Sequence, residues 1–124
     1  MRIVVVSDTH GDFFALEEAL LGQPSASLLL FLGDGAREFE DLRRKYPERR
    51  MLGVAGNCDF AGGLPAEELI EEAGVRILLT HGHALGVKHT LDPLWARARR
   101  LGARVALFGH KHEPVTVYDD GIYL

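Results

Sequence analysis

Four short clusters of metal-type side chains punctuate this chain: Asp8-Thr9-His10, Gly33-Asp34, Gly56-Asn57, and His81 followed by Gly109-His110-Lys111-His112. Together they offer two carboxylates, one amide oxygen and four imidazoles. Seven donors exceed what one tetrahedral ion takes, and with one carboxylate shared they match two ions held close together. Asp8 and His10 stand two residues apart, as do His110 and His112. In extended backbone such residues project the same way, so each pair can grip an ion from one strand end. Asp34 lies between two glycines, where the chain can turn sharply enough for a single carboxylate to bridge two ions. Asn57 adds a neutral amide oxygen. Mixed oxygen and nitrogen donors suit manganese, zinc, iron or cobalt better than calcium or magnesium, which prefer oxygen alone. The chemistry that such a pair of ions supports is hydrolysis of phosphate esters.

Each cluster taken alone has an ordinary reading as a helix cap, a turn or a surface histidine. Their joint placement is what counts, because each follows an apolar run that reads as a buried strand. These runs are Arg2 to Ser7, Ser27 to Leu32, Met51 to Ala55, Val75 to Thr80 and Val105 to Phe108. Between them Phe13, Leu16, Ala19 and Leu20 recur at helical spacing, with Asp12 as N-cap and Gly22 and Pro24 as the stop. Residues 36–46 form a charged helix ended by Pro47, and Leu91 to Leu101 form another, with Leu94, Trp95, Ala98 and Leu101 on its apolar face. Local propensity makes 65–74 helical. Pro114 to Tyr118 reads as a strand entering a tight turn at Asp119-Asp120-Gly121, with a short return over Ile122 to Leu124. Strands alternating with helices predict a mainly parallel sheet with helices on both faces, and ligands gather at the carboxyl edge of such sheets.

The order Asp-x-His, Gly-Asp, Gly-Asn, His-Gly, Gly-His-x-His resembles the calcineurin-like metallophosphoesterases, over residues 3–124. The phrase Gly56-Asn57-Cys58-Asp59 is most similar to the small prokaryotic phosphodiesterases of the YfcE type. The resemblance implies an α/β fold of two mixed sheets packed as a sandwich flanked by helices, in place of one parallel sheet. It also implies a β-hairpin over 67–80, against local propensity. By the same resemblance Asp8, His10, Asp34 and His112 hold one metal, and Asp34 bridges to a second completed by Asn57, His81 and His110. The implied cofactors are two divalent ions, Mn2+ foremost, with Zn2+, Fe2+, Co2+ or Ni2+ as alternatives. A hydroxide bridging them would attack phosphorus in line with the leaving oxygen, with no protein nucleophile. Asp34, Asn57 and His83 are the expected catalytic residues.

Cys58 departs from the broader superfamily, where a histidine at that position helps to protonate the leaving group. Cysteine donates hydrogen bonds poorly, so Cys58 reads as a small residue without chemistry, and His83 becomes the candidate acid or phosphate contact. Asp59 reads as a loop orienter or cap. Two other functions stand as alternatives: a phosphomonoesterase or nucleotidase, which needs the same metals, and a non-catalytic scaffold like the retromer subunit, which keeps this fold but has lost some of the ligands, whereas all seven are present here.

The 124 residues suffice for one domain, expected over 1–124. A net charge of -4 argues against stable nucleic-acid binding, which needs a basic surface. Cys58 is the single cysteine, so no internal disulfide forms. No apolar run is long enough to cross a bilayer, and the absence of a leader pattern points to a cytoplasmic protein. The expected partner is a small phosphate ester, with no membrane. Relatives continue beyond the last strand, so the C-terminus reads as truncated. The edge this leaves makes homo-oligomers an expectation.

Overall fold

Runs of branched apolar residues become strands and runs with helical spacing become helices. In the computed structural model, which describes residues 3–59, 63–110 and 117–124, the order is β1 (Ile3–Val6), α1 (Phe13–Leu21), β2 (Leu28–Phe31), α2 (Ala36–Lys45), β3 (Met51–Gly53), β4 (Glu67–Glu72), β5 (Val75–Thr80), α3 (Asp92–Arg100), β6 (Val105–Leu107), β7 (Tyr118–Asp119) and β8 (Ile122–Tyr123). A single 3-10 turn at His83–Leu85 follows β5. Asp12 caps α1 by accepting from the Ala15 N–H at 3.0 Å, as its type and place predict.

Alternation along β2 sets the layers. Leu29 and Phe31 pack with Leu16 and Leu20 of α1 and with Phe39 and Leu42 of α2. Leu28 and Leu30, on the other face, pack against Ile77 and Leu79 of β5. The opposite face of β5 gives Leu78 to a third cluster with Leu94 and Ala98 of α3. The result is helices, sheet, sheet, helix, with an apolar seam between the sheets.

The single parallel sheet predicted from alternation alone is therefore corrected to two sheets. One has the order β1-β2-β3, and its described strands are all parallel; the other is mixed, with the order β4-β5-β6-β8-β7. The helix that propensity favours over 65–74 is β4 instead. It pairs antiparallel with β5 through Ala73 and Gly74, both at positive φ, the conformation of a two-residue hairpin turn. Burying Ile70 opposite Ile77 at the inter-sheet seam outweighs the helix propensity of the glutamates. Among the described residues no helix is long and apolar enough to cross a membrane.

Register delivers the ligand clusters to one edge. Val6 lies beside Phe31, and Phe31 beside Gly53, so the chain leaves three neighbouring strands at one level. The loops stay paired past the strands, with the Asp8 N–H donating to the Gly33 carbonyl at 2.8 Å and the His10 N–H to the Asp34 carbonyl at 3.0 Å. In the other sheet Leu79 lies beside Leu107, and the Gly109 N–H reaches the His81 carbonyl at 3.0 Å. The His110 N–H then donates across the seam to Asp8 Oδ2 at 3.1 Å, joining the edges of both sheets.

Candidate metal centre

Asp34 is the hub. It is 3% exposed, and its two oxygens have separate environments. Oδ1 accepts from the Cys58 N–H at 2.8 Å. Oδ2 stands 3.2 Å from His81 Nε2 and 3.8 Å from His10 Nε2. Asp8 Oδ1 lies 3.7 Å from each of the same two nitrogens. Two donor groups share Asp34: His10 with Cys58, and His81 with His110, the ligand atoms in each lying within 4.8 Å of one another.

The protonation of His81 argues for a cation. Its ring is fully buried and Nδ1 lies 2.8 Å from the Leu32 carbonyl, which only accepts, so Nδ1 carries a proton. In the neutral ring Nε2 is then a bare lone pair. It faces Asp34 Oδ2, Asp8 Oδ1 and, at 3.1 Å, His110 Nδ1. A proton on His110 Nδ1 can join the two rings, but it does not offset the charge of the two carboxylates packed against them. A divalent ion would offset that charge and accept the ring donors at once. The donor set of carboxylate and imidazole therefore fits the metal that the motifs predict. Burial first, and then the Lys88 ammonium, hold His110 below the ordinary imidazole value, against the pull of Asp34. The ring is thus kept neutral, the form that binds metal.

The local backbone is built for this convergence. A Cβ on Gly56 would lie 2.1 Å from Asp34 Oδ1, and one on Gly33 would lie 2.7 Å from His81 Nδ1. Glycine precedes these candidate ligands because the neighbouring ligand occupies the space of a side chain. Asp8, His10, Asp34 and His110 all adopt positive φ, at 57°, 45°, 60° and 65°. The expectation that Asp8 and His10 grip through extended backbone is corrected here. Left-handed turns fold both residues back over the strand end, a conformation that functional sites tolerate when their surroundings enforce it.

Two acids enforce it. Asp59 accepts from four backbone donors: Asp34 and Gly56 at 2.8 Å each on Oδ2, Gly35 at 3.0 Å and Ala36 at 2.9 Å on Oδ1. Burial pushes its carboxyl up, but the donors from Ala36, Gly56, Gly35 and Asp34 outweigh burial and hold it below the ordinary value. Glu38, 6% exposed on the first turn of α2, accepts from Thr9 Oγ1 at 3.1 Å and from the Gly11 N–H, so it ties down the loop that carries His10.

The family profile of the calcineurin-like phosphoesterase superfamily domain matches residues 1–124. The chain belongs to that superfamily. Among proteins similar to this phosphoesterase-family chain is the probable metallophosphoesterase YsnB of Bacillus subtilis, 37% identical over 118 residues that make up 90% of the chain and 64% of that protein. The chain thus spans a little under two thirds of that relative's length. A conserved protein from Streptococcus pneumoniae, described as a predicted phosphoesterase, superposes with a TM-score of 0.84 at 28% identity, over 98% of this chain and 68% of the other. Vps29 from Entamoeba histolytica, solved with Zn2+, gives a TM-score of 0.79 at 25% identity, over 99% of this chain and 71% of the other. The family implies divalent metal ions.

Asp8, His10, Asp34, His81 and His110 come together at this edge of the two sheets. His112 lies outside the described residues, as does Lys111. Asn57 is exposed in the turn after Gly56, one residue from the N–H that holds Asp34. His83 is exposed at the rim, its ring centroid 5.6 Å from that of His81 and 6.2 Å from that of His110. Cys58 is exposed beside Asp34. Burial, then the charges of Asp34, Asp59 and Asp8, push its thiol up. Motif reading missed Glu38 and Lys88 and undervalued Asp59. Glu38 sits in an ordinary charged helix, so only its burial reveals it.

Proposed function

We propose that this phosphoesterase domain holds two divalent ions across Asp34 and hydrolyses a phosphodiester by attack of water. The observation that carries the proposal is the buried Asp34 Oδ2, poised between His81 Nε2 at 3.2 Å and His10 Nε2 at 3.8 Å. In this reading His81, His110 and Asn57 complete one position, and Asp8, His10 and His112 the other. When bound, the ion pair supplies a water of lowered pKa and offsets charge on the phosphate oxygens.

The residues of the chain do the positioning. The bond from His81 Nδ1 to the Leu32 carbonyl aims Nε2 inward. The Cys58 N–H fixes the Asp34 carboxylate plane by holding Oδ1. The raised thiol disfavours a free thiolate, which favours water over sulfur as the nucleophile. His83, exposed at the rim beside His81 and His110, is placed to give a proton to the leaving oxygen or to contact the phosphate. The likeness to Vps29 supports a second reading, a protein scaffold on the same fold.

Elemental analysis of purified protein after manganese loading tests the first reading, together with parallel assays on bis-p-nitrophenyl phosphate and p-nitrophenyl phosphate. We expect two equivalents of metal, preferential cleavage of the diester, and loss of both in a folded Asp34→Asn variant. A folded protein that takes up no metal would leave the scaffold standing. Faster cleavage of the monoester would make the domain a phosphomonoesterase. For His83→Ala, a rate loss that grows with leaving-group pKa is the sign of an acid; a uniform loss leaves only the phosphate contact.

A further inference from the structure

We propose that Cys58 Sγ is a ligand to the ion held by His10 and Asp34, making one of the two positions a sulfur-containing site. The inference rests on the dinuclear reading above and adds a donor to it. His10, Asp34 and Cys58 each bring one ligand atom within 4.8 Å of the others: ring nitrogen, carboxylate oxygen and thiol sulfur. Donors on one five-coordinate ion, at about 2.0 to 2.3 Å from it, stand about 3 to 4 Å apart. A contraction of about 1 to 2 Å closes the cluster to that spacing.

The main chain already holds Cys58 in place for this. Its N–H donates to Asp34 Oδ1 at 2.8 Å, which pins the residue beside the carboxylate and leaves Oδ2, on a side chain 97% buried, directed at the cation position. A divalent ion bound beside Asp34 would favour the thiolate over the thiol. As the sulfur–metal bond forms the thiol proton leaves to solvent, and no oxidation state changes.

The two positions then differ in character. The Asp34, His81 and His110 position has oxygen and nitrogen donors alone, whereas the position beside Cys58 gains a soft donor that favours zinc or cobalt over manganese. The test is optical titration of the full chain with Co2+, wild type against Cys58→Ser. The wild type should develop a near-ultraviolet thiolate-to-cobalt charge-transfer band that Cys58→Ser lacks, while visible ligand-field bands appear in both. The preference for zinc over manganese should fall by about tenfold or more in the variant. Visible bands in a wild type without the charge-transfer band would overturn the Cys58 assignment and spare the dinuclear reading. A folded wild type that binds no cobalt would overturn both. Cys58 is exposed, so the serine variant keeps the fold, which its circular-dichroism melt verifies.

Discussion

Replacing Asp59 by alanine removes one side chain and releases four backbone N–H groups, those of Asp34, Gly35, Ala36 and Gly56. A hydrogen bond to a charged group contributes about 1.5 to 3 kcal/mol, so four at the low end come to about 6 kcal/mol. Two effects reduce this figure. The carboxylate is half-buried and regains hydration when unfolded, and water can enter the space left behind to satisfy some donors. About half should survive, a loss near 3 kcal/mol. At an unfolding entropy of about 2.1 cal/mol/K per residue, this lowers the melting temperature of a 124-residue domain by about 11 °C. Circular-dichroism melts of the metal-free protein measure it without interference from bound ions. Asp59→Asn should fall in between, because the amide keeps one acceptor but turns an NH2 toward donors. The released N–H groups belong to the loops of Asp34 and Gly56, so metal affinity should fall as well. A melting temperature of Asp59→Ala within about 3 °C of wild type would refute the reasoning, because four converging donors would then hold nothing.

Other outcomes follow from single contacts. Gly56→Ala sets a Cβ 2.1 Å from Asp34 Oδ1, so Asp34 must move; calorimetric metal affinity should fall by about tenfold or more while the fold persists, and unchanged affinity would contradict the close approach. Phe39, fully buried and stacked on Phe31 with centroids 4.8 Å apart, should cost about 3 to 5 kcal/mol in urea denaturation when cut to alanine. Glu17 is held below its ordinary 4.5 by its hydrogen bonds with Lys45 and Tyr46. The stability it adds is therefore fully present above pH 4.5 and disappears as pH falls through its lower folded value, so the melts of Glu17→Gln and wild type should converge in acid. In the same variant Tyr46, whose hydroxyl donates to Glu17 and is raised by that bond, should ionise at lower pH by ultraviolet titration.

The layered fold was legible where hydrophobic period and burial agree. The run Leu28 to Leu32 announces a strand buried on both faces, and both faces are filled. Helix α3 was read from Leu94 and Ala98, and its Trp95 also sends Nε1–H to the Asp119 carbonyl at 3.0 Å. Residues 65–74 misled because Glu-Glu-Leu-Ile-Glu-Glu has helix propensity, while its pairing with Val75–Thr80 is non-local. The division into two sheets was equally invisible to local pattern, since a buried strand reads alike in either architecture. Only the family resemblance carried it. At the site the donors were legible as residue types after strands. Their geometry was not, because left-handed turns at Asp8, His10, Asp34 and His110 leave no mark in an Asp or a His.

Those turns explain why the supporting acids matter as much as the donors. Each residue held at such a φ costs about 1 to 3 kcal/mol, and four of the six described non-glycine residues at positive φ are candidate ligands. Chain left to itself would relax into extended backbone and swing these side chains away from the positions in which they converge. Glu38 holds the His10 loop, Asp59 holds the Asp34 and Gly56 loops together, and the Asp8 carboxylate receives the His110 N–H from the other sheet. Asp59 and Asp8 thus accept from main-chain N–H groups, and Glu38 from one main-chain N–H and the Thr9 hydroxyl; Glu38 and Asp59 are themselves no part of the predicted ligand set. The motif therefore records only half of the centre. The other half is the pair of carboxylates that force a strained edge to present one face, and a relative keeping every donor but lacking these acids should bind metal poorly.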